Sequence, residues 1–254
     1  MNMVTAGEQE DRNGFATVVI TCCNRPAELE QALTSILACD LTGIDKFVII
    51  EDSDCAETKN VVARLLAHTS HVFLQNAQNL GQIRSVDRAY AEVETPYIFH
   101  CEEDWVFPSS LFLTESRALL DAYPKIHSVM LRTRKEWPRK IFDVEEQHLD
   151  SVGYYRTDPK SHRRWGSFSF NPGLRRMSDF KTYGPYESIG PERDISFVHK
   201  LSGFSLASLS AGDVRHIGFN PTEKKDEHKR KKAKGYLLKS LKHRLQFAWY
   251  KWTG

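Results

Sequence analysis

The chain has 254 residues, a length that fits one α/β domain or a core domain with an appendage. Its composition, 41% hydrophobic and 27% charged with 14 glycines and 10 prolines, excludes collagen-like, low-complexity and fully disordered chains. Five cysteines without CxxC spacing indicate reduced thiols rather than a disulfide framework or a zinc site. Residues 1–13 are polar and no long apolar run follows, so we expect a cytoplasmic protein without a signal peptide or membrane-spanning helix.

The net charge of +2 is unevenly distributed along the chain. Residues 222–254 contain eleven Lys and Arg against three Asp and Glu, a local charge of +8, which leaves −6 for residues 1–221. An acidic body over 1–221 and a basic tail over 222–254 suggest two functions, chemistry in the body and adhesion to an anionic partner through the tail.

The first half of the domain alternates between β-branched apolar runs and segments with helical periodicity. We expect helices starting at Pro26 and spanning about 58–67 and 83–93, between strands at 16–21, 46–50, 71–75 and 96–101. This order predicts an α/β fold with a mostly parallel sheet and helices on both faces. The second half is less regular, with a predicted helix over 194–201 and strands at 128–132, 139–142, 205–209 and 214–219.

Polar clusters follow three of the predicted strands: Cys22–Arg25, Glu51–Asp54 and Glu102–Asp104. Ligands bind outside the carboxyl ends of parallel strands, where these clusters would meet. Three adjacent carboxylates repel one another and favour a bound cation, and oxygen ligands favour Mg²⁺ or Mn²⁺. The alternative for each acidic cluster is a solvated turn, in which Asp or Ser caps the next helix.

Together, ATVVITCCNRP, KFVIIEDSD and QNLGQIRSVDRAYAEVETPYIFHCEEDW resemble the motifs of GT-A-fold glycosyltransferases of the family 2 type. The resemblance covers about residues 15–107, the nucleotide-sugar half of the domain, and leaves 108–221 as the acceptor half. It implies a metal-dependent enzyme in which Asp104 is the metal ligand and Glu102 and Glu103 approach the donor. It also implies a set of residues around the nucleoside: Thr21, Asn24, Arg25, Glu51, Asp52, Arg84 and Asp87.

The resemblance also suggests roles in the second half. Inverting members carry acids at the start of a helix near the acceptor, and Glu192 and Asp194 match that pattern, with Glu192 as the general base. The alternative is a helix start with acids favoured by the macrodipole. By the same resemblance, His216 would be a metal or donor-phosphate ligand, and the alternative is a core histidine. Arg175 or Arg176 would contact the diphosphate. Aromatic residues that either stack on an acceptor sugar or pack in the core are Trp137, Tyr154, Tyr155 and Trp165.

The favoured function is therefore an inverting, Mn²⁺- or Mg²⁺-dependent transferase for a nucleotide-diphosphate sugar, with UDP as the preferred nucleotide. A nucleotidyltransferase is the first alternative, but 21–26 lack the glycines of its phosphate loop. The second is a non-enzymatic adaptor for a membrane or nucleic acid, which leaves the acidic strand ends unexplained.

The tail combines a basic run at Lys224–Lys234 with a predicted amphipathic helix. Its apolar face contains Leu237, Leu238, Leu241, Leu245, Ala248, Trp249 and Trp252. This pattern predicts peripheral binding to the inner face of the plasma membrane. A location at the membrane would suit a glycan or glycolipid acceptor, such as a bacterial surface glycan or lipopolysaccharide precursor. A terminal helix packed on its own domain is the alternative. No nucleic-acid recognition motif accompanies the charge, so we expect no nucleic-acid partner.

Overall fold

The structure is a computed structural model that describes residues 14–136, 145–218 and 234–253, without the side chains of 234–242 and 253. The predicted strand at 139–142, Trp137 and nearly all of the basic run at 224–234 lie outside the described residues. The boundary at 221 also lies there and stays a prediction.

The first half of the chain alternates strands and helices, as its hydrophobic pattern predicts. β1 consists entirely of buried residues, and Pro26 occupies the first turn of α1, where its missing N–H costs nothing. The helices are α1 (Pro26–Leu37), α2 (Ala56–Leu65) and α3 (Gln82–Tyr90), and the strands are β1 (Ala16–Cys22), β2 (Ile44–Glu51), β3 (His71–Gln75) and β4 (Tyr97–Glu102).

The second half contains shorter strands and four more helices, several of which the sequence pattern does not predict. The strands are β5 (Trp105–Val106), β6 (Ile126–Met130), β7 (Gln147–Leu149), β8 (Val152–Arg156), β9 (Gly173–Arg176), β10 (Ser205–Leu209) and β11 (Arg215–His216). The helices are α4 (Leu113–Ala122), α5 (Met177–Tyr183), α6 (Glu192–Leu201) and α7 (Lys234–Thr253).

Within the described residues, nine strands form one sheet in the order β3-β2-β1-β4-β9-β6-β10-β8-β7. β1 to β4 are mutually parallel where they pair, whereas β9 lies antiparallel between β4 and β6. Strands from both halves of the chain therefore share one sheet. The fold is α/β with a mostly parallel centre, as the sequence predicts.

Two apolar clusters cover the two faces of the sheet. One contains α1, α2 and α4 residues such as Leu33, Val62 and Leu119. The other contains α3 and α6 residues such as Val86 and Ile195. These helices fix the carboxyl ends of β1, β2 and β4 at a single edge, and the pairs Cys22–Glu51 and Thr21–Glu102 bring the polar clusters together there.

A separate two-stranded ribbon completes this edge. β11 pairs antiparallel with β5, which places His216 opposite Trp105. The Ile217 N–H donates to the Asp104 carbonyl at 2.8 Å, extending the same register. The sequence pattern predicts a longer strand at 214–219, but in the described part only Arg215 and His216 pair. This ribbon brings His216 to the acidic end of β4.

Candidate active site

A cavity of ≈ 440 Å³ opens at the carboxyl edge of β1, β2 and β4. This volume is in the range of small-ligand sites in proteins. Its predicted lining residues are Thr21, Arg25, Asp52, Glu102, Glu103, Asp104 and His216. Cys22 and Cys23 belong to the predicted cluster at this edge, and sequence reasoning gave no individual site role to the remaining lining residues: Asn79, Gly81, Gln82 and Ser85.

Asp104 is the centre of charge in this cavity. Its Oδ2 lies 2.9 Å from Nη1 of Arg25 and 3.2 Å from Nε2 of His216. Its Oδ1 is buried and accepts no hydrogen bond from the described residues. Gly218 packs directly against the Asp104 side chain, where a Cβ atom would lie only 2.6 Å from that of Asp104. His216 and Gly218 thus contact Asp104 from two sides, and the buried Oδ1 has no hydrogen-bond partner among the described residues.

The two glutamates before Asp104 carry unfavourable negative charge. Burial, followed by the charges of Asp104 and Glu103, raises the pKa of Glu102 to about 8. Burial and the charge of Asp104 likewise raise the pKa of Glu103 to about 7. The Nε of Arg25 lies 3.7 Å from Glu103 and compensates only part of this charge. Such a cluster favours a bound cation, which would stabilise all three ionised groups.

The donor set fits a cation that arrives together with a diphosphate. Among the residues that the structure describes, no group of three or more His, Cys, Asp or Glu is arranged to hold a metal ion. Mg²⁺ needs fewer protein ligands, since it is usually held by one or two carboxylates plus substrate phosphates. Adjacent ligands of an octahedral ion at about 2.1 Å lie about 3 Å apart. Asp104 Oδ2 and His216 Nε2 are spaced accordingly, at 3.2 Å.

Asp52 shapes the cavity wall instead of presenting an open carboxylate. Oδ1 accepts hydrogen bonds from the Asn76 side chain at 2.6 Å and the Leu80 N–H at 2.7 Å, and Oδ2 accepts one from the Gly81 N–H at 2.8 Å. Gly81 has a φ of 86°, which favours glycine at this turn. The oxygens of Asp52 thus hold the 76–81 loop, while Asp52 also lines the cavity, and its contact with the base stays a prediction.

Glu51 and Asn24 lie behind the cavity wall. Glu51 is fully buried, and its Oε1 accepts hydrogen bonds from the Asn24 N–H at 2.9 Å and the Ser53 hydroxyl at 2.6 Å. Asn24 adopts a φ of 55°, which orients this N–H toward the carboxylate. Neither residue lines the cavity. Both predicted nucleoside contacts instead shape the loop that presents Arg25.

Helix α3 contributes different residues from those predicted. Gln82 and Ser85, one helical turn apart, line the cavity. Arg84 pairs instead with Glu187, and both oxygens of Asp87 accept backbone N–H groups of 186 and 187 at 2.8 Å. In this structure Arg84 and Asp87 tie α3 to the turn at 186–187 and do not line the cavity, so their role beside the nucleoside stays a prediction.

Glu192 and Asp194 lie at the start of α6, as the sequence predicts. The Glu192 Oε1 accepts a hydrogen bond from the Phe170 N–H at 3.0 Å. Burial raises the pKa of Glu192, and its charge in turn contributes to the raised pKa of Glu102. Glu192 therefore lies within electrostatic range of the acidic end of β4, whereas Asp194 is buried.

The two adjacent arginines of β9 point to opposite faces of the sheet, and neither lines the cavity. Arg176 donates to the Ile126 and Tyr123 carbonyls at 2.9 and 3.1 Å. It pairs with Tyr97 at the amino end of β4, the far edge of the sheet. Arg175 is 1% exposed in the core. The predicted diphosphate contact is wrong for both, since carbonyls hold Arg176 and burial shields Arg175.

The aromatic residues proposed for sugar stacking are separated from the cavity. Tyr154 is buried in the apolar core, which leaves no face for a sugar. Trp165 is 36% exposed, and its carbonyl accepts a hydrogen bond from Lys200 at 2.8 Å. Trp165 and Tyr155 do not line the cavity, so a stacking role stays a prediction for these two.

Helix α7 packs on the domain with one face and exposes another. The His243 and Phe197 ring centroids are 4.3 Å apart. In contrast, Leu245, Trp249 and Trp252 are 65%, 65% and 86% exposed. Throughout the described ranges, every helix is too short or too polar to cross a bilayer.

Comparisons with solved structures identify similar folds. The chain resembles the mannosyltransferase PcManGT from Pyrobaculum calidifontis in complex with GDP-Man and Mn²⁺, with a TM-score of 0.58 and 13% identity over 79% of this chain and 55% of that chain. It also resembles S. aureus TarS 1–349, with a TM-score of 0.56 and 13% identity over 77% of this chain and 58% of that chain. The structure of S. aureus TarS 1–349 in complex with UDP has a TM-score of 0.55 and 13% identity over 77% of this chain and 57% of that chain. The chain thus spans less than two thirds of these structures.

No curated protein matches the chain. A family model does: the model of glycosyl transferase family 2 matches residues 17–183. That range contains β1 to β4, the acidic cluster and most of the cavity lining. Because the match extends over more than half of the sequence, the chain belongs to glycosyl transferase family 2.

Proposed function

We propose that the protein is an inverting glycosyltransferase that moves a sugar from a nucleotide-diphosphate donor to a hydroxyl acceptor. The observation that carries this proposal is the cavity edge where Asp104, Arg25 and His216 meet within hydrogen-bonding distance. Family membership favours this activity over the nucleotidyltransferase and the non-enzymatic adaptor.

Asp104 and His216 would hold Mn²⁺ or Mg²⁺, and Arg25 lies beside them. The cation would supply charge neutralisation for the diphosphate leaving group. The Arg25 guanidinium is a bidentate phosphate donor and adds positive charge at the same edge. A bound divalent cation would favour the ionised forms of Glu102 and Glu103, whose negative charges would then add to that of Asp104 beside the metal.

Glu192 would act as the general base that removes the acceptor hydroxyl proton as that oxygen attacks the anomeric carbon. The raised pKa and the fixed Oε1 hydrogen bond support this role, because they give a basic and oriented carboxylate. Glu192→Gln should lower turnover roughly 10²–10⁴-fold while nucleotide affinity changes little. Asp194→Asn is the matched control; if it alone produces the defect, Asp194 is the base.

The donor nucleotide is proposed to be UDP, with GDP as the alternative. The PcManGT structure contains GDP-Man with Mn²⁺ and a TarS structure contains UDP, so both nucleotides are bound by proteins of this fold. A thermal-shift screen of UDP, GDP and CMP with and without Mn²⁺ decides between them. Mn²⁺-dependent stabilisation by UDP is the expected result. Stabilisation by GDP alone would contradict the choice of uracil as the nucleobase. Stabilisation by none of the nucleotides would contradict the proposed glycosyltransferase activity.

We further propose that α7 holds the enzyme on an anionic membrane surface near a glycan or glycolipid acceptor. Leu245 and Trp252 are exposed on a helix that begins in a basic segment, a combination typical of interfacial helices. The double substitution of Leu245 and Trp252 by Glu should abolish co-sedimentation with phosphatidylglycerol vesicles and leave thermal stability unchanged. Unchanged co-sedimentation, or unfolding of the variant, would contradict the membrane role.

A further inference from the structure

Arg175 carries a buried charge that the donor site does not use. It is 1% exposed, and Nη2 donates a long 3.3 Å hydrogen bond to the Asn171 carbonyl. Its Nε and Nη1 make no hydrogen bond of ordinary geometry with the described residues, although the guanidinium lies close enough to the buried Tyr90 hydroxyl to oppose the rise in pKa that burial causes there. Burying a guanidinium in this way costs several kcal/mol unless nearby groups compensate for it. The groups that surround Arg175 therefore indicate what its charge does.

Arg175 lies beneath the segment 168–171. Its guanidinium carbon is 5.7 Å from the Phe168 ring centroid and 6.0 Å from that of Phe170, within range of cation–π attraction. The hydrogen bond to Asn171 adds a third attachment. Arg175 thus contacts three of the four residues in this segment, two through their rings and one through its carbonyl.

The same segment holds Glu192. The Phe170 N–H donates to Glu192 Oε1 at 3.0 Å, and the Ser169 hydroxyl also hydrogen-bonds this carboxylate. One short segment therefore connects the buried guanidinium to the carboxylate at the start of α6.

Two charged groups from other elements act on Glu192. Arg175 on β9 lowers its pKa and so opposes the effect of burial, whereas Glu102 on β4 and Glu192 repel each other. On α6 itself, the charged residues nearest to Glu192 in sequence are Arg193 and Asp194. No carboxylate of the described residues lies within ion-pair distance of Arg175, so its charge acts on Glu192 from beyond direct contact.

We propose that Arg175 is a positioning residue for Glu192, since its buried charge and its hold on the segment 168–171 keep this carboxylate oriented and ionised. The inference rests on the proposed function, in which Glu192 is the base. It predicts that Arg175 affects turnover without touching donor or acceptor.

The test compares Arg175→Met with Arg175→Lys, and Arg176→Met serves as the matched control on the opposite face. Turnover is followed as nucleoside diphosphate release, with water as the acceptor hydroxyl, and UDP-glucose, UDP-N-acetylglucosamine and GDP-mannose are offered in parallel with Mn²⁺. Arg175→Met should move the acid limb of the kcat profile to higher pH, because the charge of Arg175 lowers the pKa of Glu192. Arg175→Lys should keep the limb in place but lower kcat, with unchanged nucleotide affinity. Arg176→Met should leave the limb unmoved.

The outcomes separate this inference from the function itself. If Glu192→Gln keeps its turnover, the base assignment fails. If Glu192→Gln loses turnover but Arg175→Met leaves the acid limb in place, only the positioning role fails. Should Arg175→Met not fold, Arg175→Lys decides: wild-type kcat would overturn the proposal, because a lysine cannot reproduce the attachments of the guanidinium fork.

Discussion

Gly218→Ala tests whether the position of Asp104 controls metal-dependent nucleotide binding. The Gly218 backbone lies outside the left-handed region, so alanine adds a methyl group without backbone strain. That methyl group would lie 2.6 Å from the Asp104 Cβ and 2.8 Å from its Cγ, with Oδ2 closer still. The substitution therefore displaces the carboxylate and leaves every ligand atom chemically intact.

The size of the displacement determines the expected effect. Carbon atoms in contact lie about 3.5–4.0 Å apart, so Asp104 or the 218 backbone must retreat by roughly 1 Å. Metal–ligand distances vary by only about 0.2 Å. A shift of this size should therefore lower the affinity for UDP with Mn²⁺ about 10- to 100-fold, as loss of a residue supporting a ligand does.

Titration calorimetry of UDP with and without Mn²⁺ measures this effect. Gly14→Ala is the control, because its added Cβ would lie 2.6 Å from the Ile44 carbonyl oxygen, near the amino end of β1 and away from the cavity. Both variants should lose about 1–3 kcal/mol of stability from overpacking. Only Gly218→Ala should lose Mn²⁺-dependent affinity, and equal affinities in the two variants would refute the reasoning.

Two other predictions concern charged side chains. Arg25→Gln should tighten the binding of Mn²⁺ in the absence of nucleotide roughly three- to tenfold, because the Arg25 guanidinium competes with the metal for Asp104 Oδ2. Titration followed by electron paramagnetic resonance of Mn²⁺ measures this affinity. An unchanged affinity would contradict the competition between Arg25 and the metal. Burial lowers the pKa of Lys200 to about 8, so the unfolded chain binds this proton more tightly than the folded chain. Between pH 8 and pH 10, the free energy of unfolding of the wild type should therefore rise by about 2 kcal/mol relative to that of Lys200→Met, as measured by urea unfolding. A difference between the two proteins that does not change with pH would contradict the lowered pKa of Lys200.

The sequence predicts the first half of the fold because each element there has a strong local signal. The apolar run of β1 and Pro26 at the start of α1 give bounds close to those observed. β9 carries no such signal, since two arginines follow Gly173 and Leu174. Its antiparallel place between β4 and β6 depends on distant pairing partners, which local sequence does not specify.

At the site, sequence reasoning located the acidic edge but not how each side chain is used. The order of strands and clusters was enough to bring Asp104 and Arg25 to the same cavity as His216. It could not show that the oxygens of Asp52 bind the 76–81 loop, because that depends on the path of the loop. Residues 79–81, Asn-Leu-Gly, have the composition of an ordinary turn, which by itself does not indicate that Asn79 and Gly81 line the cavity.

The most direct test of the central claim compares UDP and GDP binding by the wild type and Asp104→Asn, each with and without Mn²⁺. Asparagine keeps the size of the side chain but removes the charge that a divalent cation requires. The account predicts that Mn²⁺ tightens binding of one nucleotide at least tenfold in the wild type and has no effect in the variant. Equal Mn²⁺ dependence in both proteins would contradict the claim that Asp104 binds the metal.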